Sequence, residues 1–145
     1  RYIAKKKCDA AAALCAPDDL IITADTMVFL DNDRLGKPRD EDDAFRMLRE
    51  LAGRGHTVCT GVSVRRGETS ELFAVSTRVF FRPATDDEIR AYIKTGEPMD
   101  KAGAYGVQSR GALFVERIDG DFFNVMGLPV EQLGLVLARF GVKLL

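Results

Sequence analysis

Residues 56–82, HTVCTGVSVRRGETSELFAVSTRVFFR, decide what kind of fold this chain can adopt. Two runs of alternating apolar and polar residues flank Gly67. A period of two marks a strand with one buried face, and a glycine between two such runs supplies the turn. The segment therefore predicts a long antiparallel hairpin. A chain built around that hairpin does not form the purely parallel sheet of repeated strand–helix–strand units.

Helices flank the hairpin on both sides. Upstream, residues 39–53 read RDEDDAFRMLRELAG: Asp40 can cap the helix, Ala44, Leu48 and Leu51 share a face, and Gly53 supplies the stop. Downstream, Thr85 and Glu88 in TDDEIRAYIKTG form a capping box, and Gly96 closes that helix. Pro129 opens a last helix whose apolar spacing runs Leu133, Val136, Leu137 and Phe140. Residues 1–16, RYIAKKKCDAAAALCA, read as a helix already under way. Residues 18–38 predict one buried strand around Ile21 and Ile22 that stops near Asp25, then a second from Met27 to Leu30 ending in the turn Asp31–Asn32–Asp33. Residues 112–120 and 121–127, ALFVERIDG and DFFNVMG, look like paired strands. Between them and the third helix lies DKAGAYGVQ, residues 100–108, which has neither periodicity. Such a stretch is either an ordinary connection or a place where backbone must approach a ligand.

At 145 residues, 46% hydrophobic and 30% charged with a formal net charge of −1, the chain has the composition of one globular domain. It has no basic surplus to suggest nucleic-acid binding and no apolar run long enough to span a membrane. Cys8, Cys15 and Cys59 form no CxxC pair, which favours a reducing, cytoplasmic setting, and they read as core filler. With a single histidine, zinc sites and serine–histidine chemistry are poorly supplied, so any metal is expected to be a hard cation held by carboxylates. His56 itself reads as a surface or hairpin residue, Arg65 and Arg66 as solvated at the hairpin tip, and Asp40 to Asp43 as complements to a helix dipole.

Three charged residues stand where chemistry is plausible. Asp25 follows an apolar run, and a carboxylate at a strand end can hold Mg²⁺, orient a water, or merely cap a turn. Lys37 in LGKP is held on a stiff backbone suited to a phosphate oxygen, or is simply solvated. Lys101 has the same character, with glycines after it that permit close ligand approach.

Four motifs occur in order: ADT at 24–26, LGKP at 35–38, GEPMDKAGAYG at 96–106 and FNVMGLP at 123–129. Together they resemble the Maf family of nucleoside triphosphate pyrophosphatases over nearly the whole chain. The resemblance implies a two-lobed α/β fold on a long mixed sheet, like that of inosine triphosphate pyrophosphatase, with a nucleotide cleft between the lobes. It implies cleavage of a nucleoside triphosphate between the α and β phosphates, with Mg²⁺ or Mn²⁺ as cofactor. Carried over by motif, Asp25 is the proton acceptor and a metal ligand, Lys37 and Lys101 line the phosphate site, and Thr26 and Gln108 govern substrate choice. Threonine and glutamine at those positions match the branch preferring dTTP and UTP. Family members begin with a further strand and a Ser-x-Ser-Pro-Arg-Arg loop that holds phosphates. Neither is in this sequence, so residues 1–145 are expected to be a single Maf-like domain without its N-terminal segment. The expected partner is the nucleotide, with no nucleic acid and no membrane, and a homodimer stays open. Two other readings remain: a nucleotide-binding regulator of cell division, and a phosphatase that releases orthophosphate.

Overall fold

The computed structural model describes residues 2–145, so Arg1 of the first predicted helix lies outside the described residues. In chain order the elements are α1 (Tyr2–Ala12), β1 (Leu20–Leu30), β2 (Asp33–Leu35), α2 (Glu41–Leu51), β3 (Gly55–Arg66), β4 (Thr69–Phe81), α3 (Asp86–Lys94), β5 (Val115–Asp119), α4 (Phe122–Met126) and α5 (Val130–Arg139). Short 3-10 turns fill the stretch between α3 and β5. The strands make one sheet in the order β2-β1-β3-β4-β5, and each of these pairings is antiparallel. The hairpin is present at full length, from Gly55 opposite Phe80 to Arg66 opposite Thr69, with Gly67 at φ +59° in the turn. No helix among the described residues is long and apolar enough to cross a membrane.

Local chemistry sets the helix ends as expected. The Asp40 carboxylate accepts the Asp43 N–H at 2.8 Å, and the Thr85 hydroxyl accepts the Glu88 N–H while Glu88 accepts from Thr85 in return. Asp43 faces inward and accepts from the Arg39 N–H and the Arg46 guanidinium, so the acidic run is a helix N-terminus tied to its own neighbours.

Several expectations need correction. The segment around Asp25 is one continuous strand with Asp25 in its middle, and Ile22 is half-exposed rather than buried. Pairing with β3 runs unbroken from Leu20 to Phe29, so neighbouring-strand hydrogen bonds carry the chain through a local acidic interruption. DFFNVMG is a helix and not a strand: the Asp121 side chain caps it by accepting the Phe123 N–H, and among the described residues β5 pairs only with β4. His56 is fully buried. Of the cysteines, Cys8 is buried, Cys59 only half so and Cys15 exposed. Arg65 and Arg66 do lie toward solvent, and they bond to Asp9 and to the Phe140 carbonyl.

Alternation and register put the even positions of β1 and β3 and the odd positions of β4 on one face of the sheet. That face carries two separate apolar clusters. At one end Val28, Leu30, Val58, Val79 and Phe81 pack beneath α2 and α3, with Leu48, Leu51 and Ile89 sealed inside. At the other end Val62, Val64 and Phe73 pack beneath Leu133, Val136 and Leu137 of α5. Each fully buried Leu or Val contributes about 1.5–3 kcal/mol, so each cluster holds its own lobe down. The short helix α4 lies against β3 and β4 between them, and α1 covers the opposite face of β1 and β3. The result is two lobes on a shared sheet.

Candidate active site

A cleft of about 250 Å³ opens on the helix-bearing face of the sheet, beside α4. Its floor is Thr26, Val28 and Val58 of the sheet; one wall is the loop from Lys101 to Gln108, and the other is Val125, Met126 and Gly127. Lys37 stands at its margin. Four of the five residues singled out from sequence therefore meet at one place: Thr26, Lys37, Lys101 and Gln108.

Backbone contacts bring the two lysines together. The Gly103 N–H donates to the Gly36 carbonyl at 3.1 Å, joining the GKP segment to the DKAG segment. Gly103 has φ +72°, and a Cβ there would sit 3.0 Å from Cγ1 of Val28, so only glycine lets this turn lie on the sheet. Next to it Ala104 is also left-handed, at φ +63°, and fully buried. Non-glycine residues reach that region only where the surroundings impose it, as ligand loops often do. At Gly106 a Cβ would meet Cε of Lys101 at 2.8 Å, so the lysine stem runs directly across that glycine. The Lys101 ammonium donates to the Asp100 carboxylate at 2.8 Å and to the Glu97 carbonyl at 3.2 Å. That hydrogen bond, and the charges of Lys101 and Lys37, hold the Asp100 carboxyl below its ordinary range.

A buried histidine anchors the same loop. His56 Nε2 and the Tyr105 hydroxyl are 2.7 Å apart, and both rings pack edge-on to Phe81. Burial, helped by the Arg78 charge, pushes the imidazole down to about 4, so His56 is neutral near pH 7. Burial likewise pushes the Tyr105 phenol up and keeps it protonated. Among the described residues His56 Nδ1 has no hydrogen-bond partner.

On the opposite wall a chain of hydroxyls fixes Thr26. Thr60 donates to the Asn124 carbonyl at 3.1 Å and lies 2.9 Å from the Thr26 hydroxyl. With the Thr60 proton committed, Thr26 donates to Thr60 and keeps its own oxygen free to accept. Asn124 Nδ2 donates to the Val58 carbonyl and to Thr77, which clips α4 to the sheet. Gly127 has φ +122°, and a Cβ there would lie 3.7 Å from the Thr26 hydroxyl, at ordinary contact distance.

Asp25 stands apart from this group. Being next to Thr26 in a strand, it faces the other side of the sheet, toward α1, and its carboxylate accepts from the Lys7 ammonium at 2.7 Å. One feature connects the two sides. β2 pairs only with Val28 to Leu30, so Leu20 to Met27 have no second neighbouring strand among the described residues, and both Asp25 and Thr26 border that open edge. Among the described residues there is no cluster of three or more metal-ligating side chains. Lys7, Asp100, His56 and the α4 wall were not singled out from sequence. Asp100 and the α4 wall had a local signal, their places in the DKAG and FNVMGLP motifs; Lys7 and the burial of His56 depend on long-range contacts.

Fold and cleft together define an α/β protein whose central groove offers two ammonium groups, a free hydroxyl acceptor and an exposed amide to a polar, anionic ligand. The chain belongs to the Maf-like protein family, whose profile matches residues 1–140. It is 51% identical to a dTTP/UTP pyrophosphatase of Bacillus velezensis over 127 residues, which is 88% of this chain and 67% of that one. It is 49% identical to a dTTP/UTP pyrophosphatase of Syntrophomonas wolfei over 145 residues, covering 99% of this chain and 76% of the relative. A dTTP/UTP pyrophosphatase of Exiguobacterium sibiricum is 44% identical over 142 residues, 98% of this chain and 71% of its own.

Proposed function

We propose that this chain is a nucleoside triphosphate pyrophosphatase that converts dTTP and UTP to the monophosphate and pyrophosphate. The observation that carries the reading is the convergence of Thr26, Lys37, Lys101 and Gln108 on one cleft. Similarity to relatives named for this activity supports it.

Lys37 and Lys101 take the phosphate end. Hydrogen bonds to charged groups contribute about 1.5–3 kcal/mol each, and the lysine charges are most useful on oxygens that gather charge as pyrophosphate leaves. Gln108 takes the base. Thymine and uracil offer an acceptor at O4 beside a donor at N3, and one glutamine amide meets both, giving N–H to O4 and its carbonyl to N3–H. Cytosine reverses that pattern. Thr26, with its oxygen free, accepts from a sugar or base donor. Asp25 remains the proposed proton acceptor and metal ligand on the strength of the ADT motif, and the open edge of β1 is the route by which a phosphate tail in the cleft reaches it. A single carboxylate fits a hard cation whose remaining ligands are phosphate oxygens and water, the usual manner of Mg²⁺ at nucleotide sites, rather than a protein-built cage. When bound, Mg²⁺ or Mn²⁺ would neutralise triphosphate charge. The free thiols are consistent with a reducing, cytoplasmic setting.

Pyrophosphate and orthophosphate release from dTTP, UTP, CTP, ATP and GTP with Mg²⁺ tests this directly. Pyrophosphate from dTTP and UTP ahead of the others is expected. Orthophosphate as the first product, or tight nucleotide binding with no turnover, would replace this reading with a phosphatase or a regulator of cell division.

A further inference from the structure

The base-reading residue sits at the crest of a turn that is closed on itself. Gly106 and Gly111 bracket Gln108, and a Cβ at Gly111 would run into the Gly106 carbonyl oxygen, so the two ends of the turn touch. Both ends are held from below by side chains of a different segment. The Gly106 N–H donates to the Tyr92 hydroxyl at 3.1 Å, and the Gly111 N–H donates to Glu97 Oε2 at 3.0 Å. Burial, helped by the neighbouring Glu97 carboxylate, pushes the Tyr92 phenol up. Burial pushes the Glu97 carboxyl up, yet hydrogen bonds from the Ser109 and Tyr92 hydroxyls and from the Gly111 and Arg110 backbone outweigh it and hold the group below its ordinary range. Glu97 thus fastens the far end of the turn directly through Gly111. A carboxylate, with two oxygens and no proton of its own, can accept from several donors at once. Its backbone carbonyl meanwhile receives the Lys101 ammonium.

We propose that Glu97, working with Tyr92, is the positioning residue for nucleotide choice. It fixes the 106–111 turn so that the Gln108 amide meets the base in one orientation, and it sets that turn in register with Lys101 at the phosphate end. Neither side chain needs to touch the nucleotide. The mechanism rests on the assignment of Gln108 to the base. On a loose turn the Gln108 amide could shift to suit either pyrimidine; a fastened turn limits where that amide can sit against the base.

The test compares wild type, Glu97→Gln, Tyr92→Phe, Gln108→Ala and the Glu97→Gln/Gln108→Ala double variant. Glu97→Gln keeps the shape but turns an N–H₂ toward donors, and Tyr92→Phe keeps the packing against Phe114 while losing the hydroxyl. Melting temperatures establish that each is folded. In wild type the Gly106 and Gly111 amides are expected to exchange slowly with deuterium, and tenfold or more faster in Glu97→Gln and Tyr92→Phe. The ratio of kcat/KM for dTTP over CTP is expected to fall at least fivefold in both single variants, chiefly through KM, with no further fall when Glu97→Gln is added to Gln108→Ala. A merely structural role would lower all nucleotides alike and add in the double variant; that outcome, or unchanged exchange at Gly106 and Gly111, would overturn the proposal. An unaltered dTTP/CTP ratio in Gln108→Ala would instead overturn the base assignment beneath it, and the positioning role would fall with it.

Discussion

His56 makes the stability of this protein depend on acid in a way that can be worked from the structure. Its imidazole is sealed under the cleft loop, with Nε2 on the Tyr105 hydroxyl and Nδ1 unpartnered among the described residues. Burial depresses it from 6.5 to about 4. A histidine held neutral in the folded state contributes stability that is fully present above its unfolded value of 6.5. That contribution is lost as pH falls toward 4, because the unfolded chain takes up the proton first. At 1.36 kcal/mol per unit the loss amounts to about 3 kcal/mol, a large part of the 5–15 kcal/mol typical of a domain. Carboxylates titrate in the same window, so the comparison is with His56→Phe, which fills the aromatic cluster and cannot be protonated. At pH 8 the variant is expected to be less stable by about 1–3 kcal/mol, the cost of leaving the Tyr105 hydroxyl unpaired. By pH 4 that gap should close or reverse. Urea unfolding followed by circular dichroism at half-unit steps measures it. A gap between the two proteins that stays constant from pH 8 to 4 would mean that His56 does not remain neutral on folding.

Further outcomes follow from the cleft. Lys37→Ala and Lys101→Ala are each expected to lower kcat/KM for dTTP by about 10- to 100-fold, from the loss of one charge-assisted hydrogen bond; wild-type values in both would remove the phosphate assignment. Asp25→Asn should cut turnover by about 10²- to 10⁴-fold without unfolding the chain, and retention of a third of wild-type kcat at saturating Mg²⁺ would refute its role. Gly103→Ala, at φ +72° against Val28, should lower stability by about 1–3 kcal/mol and displace Lys101, so a Tm within a degree of wild type would show that the loop is not seated as described.

What was legible in the sequence was what depends on neighbours a few residues away. The capping box at Thr85, the Asp40 cap, the glycine stops and the alternating hairpin are local bonds or local periods, and each is where its residues indicate. Misreadings arose where distant partners overrode local signals. Asp25 reads as a break because a lone acid interrupts an apolar run, yet β3 pairs straight through it. FFNVM reads as a strand by its bulky residues, but Asn124 finds its partners on β3 and β4, and Asp121 caps a helix instead. His56 reads as a surface residue because polarity alone is visible, whereas its burial needs Tyr105, 49 positions away. For the cleft, the motifs marked Thr26, Lys37, Lys101 and Gln108. They did not separate the faces of β1, which is why Asp25 lies on the far side from Thr26.

Because β3 and β4 run without interruption under both apolar clusters, the lobes share a floor and have no hinge between them. The floor of the cleft is therefore set by the pleat and twist of those strands, and it is expected to keep its shape when a ligand arrives. Binding in such a groove needs no slow closure step. Association should follow a single exponential whose rate rises linearly with nucleotide concentration, without the plateau that a rate-limiting domain motion imposes.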